Sequence, residues 1–194
     1  ERLISFVDMA DALFFLIDED AQPAVHRLFD KLADFYDGLF KHLSESIKPD
    51  LIWFHDDWGS QRAPLFSLDL CREMLVPYIK RVVDSAHKYG MGFEFHSCGH
   101  LELLVPAMIE AGCDIWQGQS MNDKAKLFRE YGDDIKMSVG FPTLPEDATE
   151  AQIDDAVGAF LDTFPYNVYC ELTMVGTPGV YAKVYEESRK RLSK

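Results

Sequence analysis

The chain has 194 residues, 47% of them hydrophobic and 27% charged, which is enough for one globular domain with a sizeable core. Its 33 acidic residues against 19 Lys plus Arg give a formal charge of −14, and no basic stripe breaks that balance, which argues against a phosphate-backbone partner. The apolar run Ala12 to Ile17 is far too short to span a bilayer and no signal-peptide pattern opens the chain, so a cytoplasmic location is expected.

The sequence starts at Glu1 and enters dense apolar sequence (LISFVDMADALFFLI), which reads as a cut through a larger protein. Residues 1–47 form a helical lead-in, with Pro23 near a helix start and Val25, Leu28, Phe29, Leu32, Tyr36, Leu39 and Leu43 on one face. From residue 48 to 194 strand and helix alternate within the same single domain. LIWFHDD reads as a strand and Leu68 to Tyr89 as a helix that Pro77 should kink or divide. GFEFHSC is the next strand, Leu101 to Ala111 a helix, and CDIWQGQ a strand. A short helix over Lys124 to Tyr131 precedes the strand IKMSVG, and a helix from Glu150 to Thr163 precedes NVYCEL. The last helix runs from Val180 to Leu192.

Gly90, Gly112 and Gly132 each follow a helical segment, where a left-handed residue is favoured, and Thr149 with Gln152 matches a capping box. Five strands separated by helices imply parallel pairing with right-handed crossovers. Either an open doubly wound sheet or the C-terminal portion of a (β/α)8 barrel of TIM type fits that pattern. Neither GxGxxG nor GxxxxGK[ST] is present to support nucleotide binding.

In both architectures the active site lies at the carboxyl ends of the strands. The first strand ends in His55, Asp56, Asp57, Trp58 and Gly59, with Gln61 beyond; the second ends in His96 and Cys98, with His100 after the turn. Gln117 and Gln119 end the third, and Cys170 with Glu171 the fifth. Strand periodicity puts Glu94, His96 and Cys98 on one face and Phe93 and Phe95 on the other. A thiolate and an imidazole on one strand face suit zinc, and Cys170, at the corresponding end of the last strand, is the third ligand expected. Three protein ligands with one open position describe a catalytic zinc, which would lower the pKa of a bound thiol substrate. The alternative is that Cys98 and Cys170 are small buried thiols and His96 a hydrogen-bonded core histidine.

Asp56 and Asp57 face opposite ways in a strand. Asp57 shares its face with His55 and Trp53, and one of the two acids is a turn former. Gln119 is either a substrate hydrogen-bonder or a solvated strand end, and His100 is a candidate helix cap. Cys71 and Cys113 read as structural, and His26, His42 and His87 as surface or satisfied groups.

DDWGSQ (Asp56 to Gln61), HSCG (His96 to Gly99) and IEAGCDIWQGQS (Ile109 to Ser120) together resemble the uroporphyrinogen decarboxylase superfamily. Within it the chain is most similar to the cobalamin-dependent methyltransferases, of the methylcobamide:coenzyme M and O-demethylase kinds. The resemblance is good over residues 23–140 and weaker beyond. It implies a (β/α)8 barrel and an H-x-C…C zinc signature, matched by His96, Cys98 and Cys170. The arginine-rich motif of the decarboxylases proper has no counterpart in Glu1 to Asp20, and SVGFPTLPED stands where a glycine- and aspartate-containing motif is common.

The expectation is therefore a zinc-dependent methyltransferase moving a methyl group between a small donor or acceptor and methylcobamide carried by a corrinoid protein. Asp57, Gln61 and Gln119 would shape the catalytic site, with His55, Asp56, Trp58, Glu94 and Glu171 at the substrate. Metal-free decarboxylation of a tetrapyrrole is the alternative, and a catalytically incompetent fragment a further one. Family members are much longer, so about three barrel strands are expected to be missing, and open sheet edges would favour homo-oligomers.

Overall fold

The computed structural model describes residues 1–171 and 177–193, so residue 172 of the expected last strand lies outside the described residues. They fall into two compact units, Glu1–Asn122 and Asp123–Lys194. Among the described residues no helix is long and apolar enough to cross a membrane.

In the first unit a 3-10 turn (Leu3–Ser5), α1 (Met9–Phe15) and α2 (Gln22–Ser46) precede β1 (Leu51–His55). Helices α3 (Leu68–Met74) and α4 (Val76–Lys88) connect it to β2 (Gly92–Ser97). A 3-10 turn (Glu102–Leu104) and α5 (Val105–Glu110) lead to β3 (Ile115–Gly118). β1 pairs with β2 and β2 with β3, both parallel. The second unit holds α6 (Lys124–Tyr131), β4 (Lys136–Gly140), α7 (Glu150–Thr163), β5 (Val168–Glu171) and α8 (Val180–Leu192), with β4 and β5 parallel. In each unit, strands that follow one another through a helical connection lie side by side without reversal. That is the α/β succession of a partial TIM-type barrel rather than of a doubly wound sheet, whose order reverses.

Local chemistry explains most boundaries. Ser67 caps α3 by accepting from the Leu70 amide at 3.1 Å. Pro77 stands in the first turn of α4, where its missing N–H costs nothing, so the single helix expected over Leu68 to Tyr89 is divided. Pro106 likewise opens α5, and the helix expected from Leu101 is a 3-10 turn followed by a short α-helix. The capping box of α7 is complete: Gln152 N donates to Thr149 Oγ1 and Thr149 N to Gln152 Oε1.

Gly90 and Gly112 are left-handed, at φ +80° and +82°. Gly132 is not: its φ is −64°. It is needed instead for space, because a Cβ there would lie 2.5 Å from the Phe128 carbonyl oxygen. The buried line of α2 also differs from the expected stripe, running through Val25, Ala33 and Phe40. Small Ala33 belongs to the face that α2 packs on α4, and Arg81 of α4 bridges Asp30 and Asp34 of α2 at 2.7 and 2.8 Å.

The two faces of the first unit's sheet differ in kind. On the helix side Phe54 lies 5.4 Å from Phe93 and 6.3 Å from Phe95, ring to ring, with Trp116 in register beside Phe95. Burying each such ring contributes roughly 1.5–3 kcal/mol. The other face carries Trp53, His55, Glu94, His96 and Gln117. Parallel register sets His55, His96 and Gln117 side by side across three strands, with Trp53 beside Glu94 one step earlier.

Candidate functional site

The polar face becomes a site where β1 and β2 end. Asp57, His96 and Cys98 each offer a ligand atom, and these atoms all lie within 4.8 Å of one another. His96 comes from β2 itself, Cys98 from its exit turn, and Asp57 from the exit of β1. Asp57 Oδ1 accepts the Cys98 backbone N–H at 2.8 Å, which ties the two exits together. His96 Nε2 stands 3.3 Å from Cys98 Sγ, and His96 Nδ1 stands 2.8 Å from Gln117 Oε1. Burial, followed by the hydrogen bond to Asp57, raises the pKa of the Cys98 thiol.

The turn after β2 is held from several sides. Gln119 Oε1 accepts from Gly99 N at 2.8 Å. Buried Asn122 accepts from Leu101 N at 2.7 Å and donates to the Gly99 and Gln119 carbonyls at 3.0 and 2.9 Å. Ser97 Oγ accepts from Trp58 N at 2.9 Å. The segment is thus fixed by polar side chains of the β3 exit, and Gln119 supports the Cys98 turn rather than projecting from it.

Asp56 turns away from Asp57. It takes the Trp58 indole N–H at 2.8 Å and pairs with the α-ammonium of Glu1. Trp58, expected at the substrate, is only 1% exposed and packs its ring 4.7 Å from Phe95 and 6.0 Å from Phe66. Trp58 falls on the same side of the chain as Phe54 and its indole packs in the helix-side core, so Trp58 is a packing residue. His55 is exposed on the polar face with its ring 4.5 Å from that of His96 and 4.2 Å from Trp53. Glu94 is buried on the same face at 6% exposure, and Gln61 is exposed in the loop beyond β1. His100 does not cap a helix; its Nε2 lies 3.5 Å from the Glu102 carboxylate.

Two cavities flank β1. One of about 330 Å³ is lined by Tyr36, Trp53, His55, Asp56 and Tyr78 among others. The second, of about 280 Å³, has Asp57 and Trp58 in its wall with apolar residues from the N-terminal helices.

In the second unit, Cys170 and Glu171 end β5, in register with Val139 and Gly140. Burial pushes the Cys170 thiol up to about 11. Ser138 Oγ donates to the Glu171 carboxylate. The Lys124 ammonium nitrogen is buried, which brings its pKa down to about 7 against the opposing pull of Glu171. Cys71 and Cys113 are buried among apolar groups, and burial raises both thiols, Cys71 to about 12.

The donor set fits zinc. Zn–S of about 2.3 Å and Zn–N of about 2.0–2.1 Å at a tetrahedral angle need those atoms roughly 3.6 Å apart, a few tenths of an ångström from the observed Nε2 to Sγ separation. A carboxylate beside them completes an N, S, O trio. Sequence reasoning named His96 and Cys98 as ligands, expected Cys170 as the third and placed Asp57 in a catalytic role, and it missed Gln117 and Trp53 as partners of the histidine. The signal available was their place on the same strand faces as His96.

No protein-family model matches the chain, and no curated protein matches it. Among solved structures, the chain is similar to a methyltransferase from Methanosarcina mazei, with 16% identity over 75% of this chain and 43% of that one, and a TM-score of 0.49. It is also similar to a sugar phosphate isomerase/epimerase from Parabacteroides distasonis ATCC 8503, with 9% identity over 87% and 67% of the two chains and a TM-score of 0.48. The chain spans less than half the length of the methyltransferase.

Proposed function

We propose that this chain carries the metal site of a zinc-dependent methyltransferase, which moves a methyl group between a small substrate or thiol and a corrinoid held by a partner protein. The observation that supports this reading is the convergence of Asp57, His96 and Cys98 at the exits of β1 and β2, with the far nitrogen of His96 already engaged by Gln117. Asp57, His96 and Cys98 would hold the ion. Bound zinc supplies a Lewis acid that lowers the pKa of a thiol or polarises a methyl-bearing oxygen.

The chain's own residues prepare that chemistry. The Cys98 amide anchors Asp57, Gln119 and Asn122 fix the turn that carries Cys98, and Gln117 holds the imidazole. His55 and Glu94 share the polar face, where an imidazole and a carboxylate can orient a substrate or move a proton. Cys170 remains a proposed ligand on the sequence signature alone.

Metal content of the purified protein tests the reading. About one zinc per chain, lost in both Cys98→Ser and His96→Gln, is expected. Wild-type zinc content in both variants would overturn the site, as would a zinc-replete preparation that binds none. Transfer of a labelled methyl group between methylcobamide and a thiol then tests the reaction; a zinc-loaded protein that never moves the label, even with its corrinoid protein present, is not this enzyme.

A further inference from the structure

A donor-only group settles that Nδ1 of the site histidine carries a hydrogen. The indole Nε1 of Trp53 lies 2.9 Å from an atom of the Gln117 amide. Indole N–H donates and cannot accept, so that atom is the amide oxygen and not its nitrogen. The same oxygen lies 2.8 Å from His96 Nδ1. An amide oxygen only accepts, so Nδ1 must carry a hydrogen. A carbonyl oxygen has two lone pairs, and the two donors use both. In a neutral imidazole the unprotonated nitrogen is then Nε2, the atom 3.3 Å from Cys98 Sγ and within the Asp57 group. Rotating the Gln117 amide by half a turn would set its NH2 against the indole N–H, donor against donor, so Trp53 selects the orientation.

The arrangement is a product of register. His96 and Gln117 are paired in β2 and β3, and Trp53 enters from one step earlier on β1, so three strands contribute one residue each.

We propose that Gln117, itself oriented by Trp53, is a positioning residue that fixes His96 as its Nδ1–H tautomer and so makes Nε2 the ligand atom. Its consequence for metal binding rests on the zinc reading; the tautomer does not. Hydrogen bonding of the outer nitrogen of a metal-ligating histidine typically governs affinity by 10–100-fold.

The test uses the metal-free protein and then zinc alone. Long-range proton–nitrogen NMR, with His96 assigned by the His96→Gln spectrum, should show Nδ1 protonated and Nε2 bare in the wild type. Gln117→Glu keeps an acceptor and should keep that tautomer. Gln117→Leu should give a mixture of tautomers and bind zinc about 10–100-fold more weakly in chelator competition. Trp53→Phe keeps a ring but removes the indole donor that opposes amide rotation, so it should also broaden the tautomer distribution. Protonation of Nε2 in the wild type, or unchanged tautomer populations in Gln117→Leu, would overturn the inference. Should Gln117→Leu fail to fold, the contrast between Gln117→Glu and Trp53→Phe decides: identical, wild-type-like tautomers in both would remove Trp53 as the orienting group. A protein that shows these tautomers yet binds no zinc would sink the zinc reading and leave the tautomer assignment standing.

Discussion

Gly59 and Gly99 meet backbone to backbone where β1 and β2 end. A Cβ on Gly99 would stand 2.4 Å from the Gly59 carbonyl carbon, and Gly99 also has φ +100°. The two exit turns are therefore pressed together one residue from Cys98 and two from Asp57. Gly99→Ala combines a steric clash with backbone strain and should cost about 1–3 kcal/mol of stability. Gly59→Ala should cost less, since its φ is not left-handed, although its Cβ would still stand 2.7 Å from the Leu101 side chain and 2.9 Å from the Cys98 carbonyl oxygen. Urea denaturation of both variants checks the order; a wild-type midpoint for Gly99→Ala would show that the turns can separate freely.

Trp58 and Trp53 should behave as opposites. Trp58→Ala empties a fully packed position and should destabilise by about 3–5 kcal/mol. Trp53→Ala removes an exposed ring, and its cost in stability should stay under about 1 kcal/mol. Guanidinium titrations of both variants read the two effects. Equal loss of stability in the two variants would contradict the division between packing face and polar face.

Asp57→Asn preserves the oxygen that accepts the Cys98 amide but removes the charge. Zinc affinity should fall by at least about 10-fold while the melting temperature changes little, since the hydrogen bond persists. Cys170→Ser asks a separate question. Lost zinc would support its place among the ligands, and undiminished binding would remove it, leaving Asp57, His96 and Cys98 as the protein's contribution.

Lys124 gives the chain a pH signature. Burial lowers its folded pKa to about 7, whereas an unfolded lysine titrates near 10.4. Between those values the unfolded chain binds more protons than the folded one, so this group makes stability rise with pH from about 7 to about 10. Below pH 7 the buried charge must be kept in the folded state and its full cost applies. Lys124→Met should therefore be more stable than wild type at pH 6.5, with the gap closing as pH approaches 10. Denaturant melts across that range measure it, and a pH-independent difference would mean that Lys124 is charged throughout.

Much of the fold is written locally. Helices α6, α7 and α8 begin and end where caps, glycines and periodicity place them, because those signals act within a few residues. Gly132 shows the limit: its helix-end position was legible, but its reason is the nearby Phe128 carbonyl rather than a left-handed turn. The candidate site divides in the same way. Alternation along β2 told which residues share the face of His96. It could not tell that Gln117 stands opposite His96 or that Trp53 reaches the same oxygen, because cross-strand register is set by tertiary packing. The burial of Trp58, by contrast, was within reach of alternation, since positions 54, 56 and 58 share one side just as Asp57 shares that of His55.

The alternation in β2 binds two properties of this chain to one frame. Any single-residue insertion or deletion between Gly92 and Cys98 would swap imidazole with phenylalanine across the sheet. Charge would be driven into the aromatic layer at the same moment that the polar face lost its donors. Core and chemistry in this segment can therefore change by substitution but not by length, so lineages that lose the site by a frame slip should lose the fold with it.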